Sequence, residues 1–186
     1  RIETHVSAFG RHMVYAALAA AAVGIELGVP DADIAAGIAD YQPVGRRASV
    51  INTGCLTIVD DCYNANPDST QMAILSAADL GGRLVCLLGD MLELGNRSAA
   101  EHYRIGRIAA AKVDMLYTYG TNSERMVSGA ITGGMKQKFV EHFDTHEDLA
   151  HMLKMRARPG DVILFKGSRG MRMEKALSLF LKEEES

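Results

Sequence analysis

The chain has 186 residues, 48% of them hydrophobic and 23% charged, the balance of an ordinary soluble globular protein with one sizeable core. A net charge of −3 argues against a general nucleic-acid-binding surface, and no apolar run approaches the roughly 20 residues needed to span a bilayer. Cys55, Cys62 and Cys86 form no CxxC pair and lie in or beside apolar runs, which predicts buried thiols in a reducing compartment; neither they nor the six histidines show metal-ligand spacing, so no metal site is expected.

The opening segment RIETHVSAFG lacks a starting methionine and reads like the end of a strand, so the chain is expected to be part of something longer. Residues 11–28 and 31–41 are predicted helices, the second capped by Asp31 after Pro30, with Ile34, Ile38 and Tyr41 at helical spacing. Pro43 and Gly45 then break the pattern, and short apolar runs begin to alternate with helical segments. ASVI and LTIVD flank the turn NTGC as a hairpin. In the helix that follows, Asn66 is the predicted N-cap with Pro67 at the first helical position, and Met72, Ile74, Leu75 and Leu80 form its buried side. RLVCLLGD is a continuous apolar run, as expected of a strand covered on both faces. Ser98 and Glu101 stand at capping-box spacing at the start of the next helix. The strand DMLYTYG, a helix near 122–132, a short strand at KFVEHF, a helix over 146–157, the strand DVILFKG and a helix from MRMEKALSLFLKE complete the chain.

Strand and helix alternate from about residue 56 onward, which predicts an α/β fold: a Rossmann-like, mostly parallel sheet with helices on both faces. In such folds ligands collect at the carboxyl ends of the strands, here DDCYNANP, GDMLELG, YGTNSE and KGSRGMRM. Neither a G-x-x-x-x-G-K-[ST] nor a G-x-G-x-x-G phosphate device is present. In KGSRGMRM, Lys166 and Arg169 sit on a glycine-bearing turn before a helix and can converge on an anion; a plain helix start with surface cations is the alternative. Asp90 and Glu93 can bind an ammonium group or a cation, or serve as ordinary loop polars. Arg46 and Arg47 can clamp phosphate or simply lie on a linker surface. His12 and His102 read as packing or surface histidines.

GRHMVYAALAAAAVG, PVGRRASVI, VDDCYNANPDS, LLGDMLELG and LFKGSRGMRME occur in the order and at the spacings of the Mur ligases, which the chain resembles over essentially its whole length. Within that family it looks most like the members that add D-alanyl-D-alanine to UDP-MurNAc-tripeptide. The resemblance implies that residues 1–44 are the helical end of a central ATP-binding domain and 45–186 the complete C-terminal Rossmann-like domain. It also implies a cytoplasmic enzyme, a monomer by family habit, that uses ATP and Mg2+, both held mainly outside this chain. Nucleic acid and membrane are not implied as partners.

By the same resemblance, Asp61 is placed to meet the ribose of ATP, with Tyr63, Asn64 and Asn66 along the nucleotide and Arg46 or Arg47 near its phosphates. His12 matches the family's helix-opening histidine. Asp90, Glu93, Lys166, Gly167, Ser168 and Arg169 would face the incoming dipeptide, across a different crevice from Asp61. No residue of the chain is assigned as catalytic; the resemblance implies that the phosphate loop and the principal magnesium ligands lie outside it, so the chain alone is expected to be inactive. The family's first helix begins H-N-x-x-N or H-M-x-x-N; here Met13 is followed by Ala16, which cannot hydrogen-bond a base. Two other readings are another amide ligase of this superfamily, such as a folylpolyglutamate synthase, and a stand-alone ligand-binding domain that has lost the chemistry.

Overall fold

The computed structural model describes residues 1–10, 13–42 and 48–182. After an extended opening segment come α1 (Met13–Glu26) and α2 (Asp31–Ala39), then β1 (Ser49–Asn52), β2 (Thr57–Asp61), α3 (Pro67–Ala78), β3 (Leu84–Gly89) and α4 (Ser98–Ala110). The chain continues through β4 (Met115–Tyr119), α5 (Glu124–Thr132), β5 (Val140–Phe143), α6 (His146–Arg156), β6 (Val162–Lys166) and α7 (Glu174–Leu181). The strands form one sheet in the order β1-β2-β6-β3-β4-β5; β1 is antiparallel to β2 and every other pair is parallel. The expected mostly parallel α/β architecture is what the chain adopts.

Two apolar layers hold the sheet. Successive strand side chains point to opposite faces, so Leu84, Cys86 and Leu88 join Leu116 and Leu164 against Ile74 of α3, Ile105 of α4 and Met126 of α5. Val85 and Leu87 join Tyr117, Ile163 and Phe165 against Leu149 of α6 and Leu177 of α7. All six residues of β3 are buried, which is why RLVCLLGD carries no polar alternation. On the first face α4 and α5 meet through glycines: a Cβ on Gly106 would collide with the Met126 carbonyl and one on Gly129 with the Tyr103 carbonyl.

Several local expectations are corrected. Residues 1–10 contain no strand; they are tied to α2 by Thr4 Oγ1 donating to the Ala35 carbonyl at 2.8 Å. Asp31 makes no cap hydrogen bond. Ser98 is already inside α4 and forms no capping box, because a 3-10 turn at Gly95–Arg97 precedes it and Glu101 is bonded to Arg104. The capping box belongs to α3, where Asn66 Oδ1 accepts from Ser69 N at 2.8 Å and Ser69 Oγ accepts from Asn66 N at 3.1 Å. The buried side of α3 is Ala73, Ile74 and Ala77, while Leu80 lies past its end and is exposed. Cys55, in the β1–β2 turn, is exposed, whereas Cys62 and Cys86 are buried and none is in a disulfide.

The helices of residues 1–42 are covered differently. α2 buries Ile34 and Ile38, but α1 buries nothing and leaves Val14, Tyr15, Leu18 and Val23 more than half exposed. Among the described residues no helix is long and apolar enough to cross a membrane.

Candidate functional site

The strand order puts β6, the last strand, between β2 and β3. α3 leaves β2 on one face of the sheet and α7 leaves β6 on the other. Neighbouring parallel strands whose connections diverge in this way open a crevice at their carboxyl ends. The loops 62–66, 90–95 and 167–173 surround it.

Two side chains from β6 and its loop join these segments. Lys166, 2% exposed, pairs with Asp61 directly across the β2–β6 ladder. Its Nζ donates to Asp61 Oδ2 at 2.5 Å and to the Asn64 carbonyl at 2.9 Å. Asp61 Oδ1 also accepts from Ala48 N at 3.1 Å. Asp61 and Lys166 therefore face one crevice, not two as expected, because β6 returns to the middle of the sheet. Ser168, 4% exposed, is the second connector. Its Oγ donates to the Ala65 carbonyl at 3.1 Å and accepts from Leu92 N at 2.8 Å, while its N donates to the Asp90 carbonyl at 3.0 Å. One residue thus ties the loops after β2, β3 and β6 together.

The loop after β3 is pinned from below. The Asp90 carboxylate, 3% exposed as a residue, accepts from Asn122 N at 3.1 Å, Asn122 Nδ2 at 2.9 Å and Ser123 N at 2.7 Å. This binds the start of α5 to the loop and occupies Asp90 internally. His102, fully buried on α4, bonds the Ser98 carbonyl through Nδ1 at 2.7 Å and accepts from Met91 N through Nε2 at 2.9 Å. Those partners require the neutral ring with its proton on Nδ1. Glu93, by contrast, is exposed and sits in the left-handed region at φ +63°.

The remaining expected residues are placed as follows. Gly167 is packed so closely that a Cβ would lie 2.7 Å from Met173 Cγ and 3.2 Å from Gly89 Cα. Arg169 is exposed, with Nη1 3.3 Å from Glu174 Oε1. Tyr63 is 45% exposed on the loop after β2, Asn64 accepts from Ala65 N through its side chain, and Asn66 is occupied by the α3 cap. Asp60 is buried and accepts from Cys62 N at 3.2 Å. His12, Arg46 and Arg47 lie outside the described residues.

Three further residues were not singled out from the sequence, and a fourth, His102, was read there as a packing or surface histidine and is buried. His102 and Asn122 brace the β3 loop, and His146 bonds the Met171 carbonyl at 2.8 Å while stacking on Tyr119 at 4.2 Å between centroids. Arg172, at φ +48°, turns the chain into α7. His102, Asn122 and His146 act through contacts between separate segments, Arg172 through its own backbone turn, and only the His102 spacing, four residues after Ser98, carried any local trace. Among the described residues no group of three or more His, Cys, Asp or Glu is placed to hold a metal ion.

Residues 46–169 match the family model described as "Mur ligase, glutamate ligase domain". The chain is 37% identical over 170 residues to the UDP-N-acetylmuramoyl-tripeptide--D-alanyl-D-alanine ligase of Bacillus subtilis, covering 89% of this chain and 37% of that protein. It is 35% identical over 172 residues to the Escherichia coli protein of the same name, covering 90% and 36%. The fold is similar to the crystal structure of MurF from Acinetobacter baumannii, with a TM-score of 0.82 at 31% identity over 93% of this chain and 38% of that one. It is also similar to MurF ligase from Thermotoga maritima in complex with ADP, with a TM-score of 0.72 at 31% identity over 86% and 35%. The chain thus spans well under half the length of these relatives.

Proposed function

The chain belongs to the Mur ligase family, and we propose that it is the C-terminal part of an ATP-dependent ligase that joins D-alanyl-D-alanine to UDP-MurNAc-tripeptide. In this reading the tripeptide carboxylate attacks the γ-phosphorus of ATP, releasing ADP and leaving an acyl phosphate. The dipeptide amine then attacks the acyl carbon, and phosphate departs as the amide forms. Such chemistry depends mainly on positioning and on stabilising charge at the transferred phosphate. Residues 1–44 are the helical end of the ATP-binding domain and 45–186 the domain that closes on it; the uncovered apolar side of α1 supports that division. We place the enzyme in the cytoplasm, as a monomer.

The observation that carries the reading is the convergence of the loops after β2, β3 and β6 on Ser168 and Lys166. It joins the segment this reading assigns to the nucleotide, Asp61 to Asn66, to the pair it assigns to the acceptor, 90–95 and 167–171. Asp61 presents its carboxylate toward the ribose side while Lys166 neutralises it. Tyr63, Asn64 and Asn66 follow along the nucleotide, and His12, Arg46 and Arg47 are assigned to the ATP side by family position. Asp90, Gly167 and Ser168 shape the acceptor loops from within. Magnesium finds no ligand set among the described residues.

With Lys166 committed to Asp61, Arg169 is the described residue assigned to receive the dipeptide carboxylate. In the full-length protein, phosphate release from ATP should require both the UDP-tripeptide and the dipeptide. Arg169→Ala should raise the KM for D-alanyl-D-alanine about tenfold, the low end for a charge-assisted hydrogen bond because the side chain is exposed. The KM for ATP should not move. A rise confined to ATP, in steady-state kinetics with each substrate varied, overturns the acceptor assignment.

A further inference from the structure

The amino ends of β3 and β4 frame a second cavity, at the opposite end of the central strands from Ser168 and Lys166. It measures about 610 Å3, within the range of small-molecule sites. Its walls carry Arg83, Lys136, Lys138 and Arg158 but, among the described residues, one carboxylate, Asp114. A chain whose net charge is −3 thus gathers four cations round one hollow. The strand order fixes where they come from. Arg158 enters from the β6 side, Lys136 and Lys138 from the segment leading into β5, and Arg83 stands between them just before β3.

Folding accounts for only part of this charge. Arg83 is held in fork geometry by Asp161, and Asp114 accepts from Leu84 N at 2.8 Å, which ties one of its oxygens to the strand. Lys138 Nζ lies 4.9 Å from the ring centroid of its neighbour Phe139. Among the described residues, the side chains of Lys136 and Arg158 make no hydrogen bond or ion pair. Their backbones are nevertheless fixed. Arg158 N donates to Asp161 Oδ2 at 2.8 Å, and the Arg158 carbonyl accepts from Asp161 N at 3.0 Å. The Lys136 carbonyl accepts from Phe139 N at 2.9 Å, and the buried Met135 before it donates its N–H to the Ala130 carbonyl. Two unpaired cations therefore stand on hydrogen-bonded turns on either side of a hollow, preorganised for an anion that would offset their repulsion.

The cavity also has an apolar side. Val113, Met115 and Met135 are buried residues that reach its wall, and Phe139 is exposed beside them. Low-dielectric walls next to charges of one sign focus the field within a cleft. A phosphate monoester suits this arrangement better than a carboxylate. It carries nearly two charges at neutral pH and has three acceptor oxygens, which cations can meet from different sides. We infer that the cavity is a binding site for a small phosphate monoester, its phosphate held between Lys136 and Arg158 and its organic body resting on Met115, Met135 and Phe139. The site lies apart from the crevice and does not depend on the reaction assigned there.

The test uses the full-length protein, with phenyl phosphate, benzoate and inorganic phosphate as probes in isothermal titration calorimetry. Phenyl phosphate should bind saturably and more tightly than the others, since benzoate lacks the second charge and inorganic phosphate the apolar body. Lys136→Ala and Arg158→Ala should each weaken phenyl phosphate about tenfold, the low end for a charge-assisted hydrogen bond because both residues are exposed. Neither variant should lower the melting temperature, because neither side chain has a partner to lose and Arg158→Ala keeps the backbone N–H that Asp161 uses. An affinity unchanged in either variant, as for a probe bound at some other phosphate site, overturns the inference. So does benzoate binding as tightly as phenyl phosphate, or no saturable binding at millimolar probe. Binding to phosphatidylglycerol vesicles without binding of the soluble ester makes the patch a membrane-docking surface and overturns it equally.

Discussion

Lys166→Met should remove about 3 kcal/mol of folding stability, toward the lower end of the 3–5 kcal/mol seen when one member of a buried ion pair is lost. The Lys166 side chain is 3% exposed and that of Asp61 17%, so the abandoned carboxylate regains a little water but stays mostly desolvated. The Asn64 carbonyl loses its donor in the same change. The cost belongs to the orphaned charge more than to the pair itself. Adding Asp61→Asn should therefore recover much of the loss, since a neutral amide is cheaper to leave in place than a carboxylate. Urea unfolding of the single and double variants measures the coupling. A loss below about 1 kcal/mol for Lys166→Met would mean that the pair is solvated like a surface bridge, and that Lys166 is available to a ligand after all.

That pair also marks the boundary of what could be read from residue order. The alternation after residue 56, the fully apolar β3 run and the Asn66–Pro67 helix start are local, and each is realised. The return of β6 to a place between β2 and β3 is not local. It depends on which strand edges remain open after the others pair, and no periodicity records it. Asp61 and Lys166 were both noticed as candidate site residues, yet their separation by one hundred and five positions hid that they are ladder neighbours. Ser168 was legible as part of a glycine-rich turn but not as the bond between three loops. The Ser98–Glu101 spacing misled in the opposite direction: a motif of the right form was present, but the 3-10 turn ahead of it had already supplied the start of α4. The polar cluster at the end of β2 has a mixed origin. Asn66 caps a helix, Asp60 and Asn64 bond nearby backbone, and Asp61 is the residue that reaches another strand.

The second large effect should come from the opposite end of the central strands, where Asp161→Ala is expected to cost about 3–5 kcal/mol. Asp161 is 2% exposed and accepts from Arg83 in fork geometry, Nε to Oδ1 at 2.8 Å and Nη2 to Oδ2 at 2.6 Å. Its Oδ2 also accepts from Arg158 N at 2.8 Å, so one carboxylate closes the turn before β6 and joins that strand to the start of β3. The hydrogen bond to Asp161 is the main reason that the Arg83 guanidinium is raised above its already high ordinary pKa. A raised value on a cation means that its stabilisation is complete below the unfolded-state pKa and fades only as pH climbs past the folded one. The arginine side of this pair therefore adds no pH dependence across the neutral range. The alanine variant leaves Arg83 with the Arg156 carbonyl and the Met115 sulfur as partners, neither of which balances its charge. Because the change lies at the amino ends of β3 and β6, far along both strands from Ser168 and Lys166, dipeptide and ATP KM values should hold in the fraction that stays folded. Thermal melts beside kinetics at a temperature well below the transition separate the two effects. A variant that keeps its stability but loses acceptor affinity would show that this end communicates with the crevice, contrary to the division of labour drawn from the sheet.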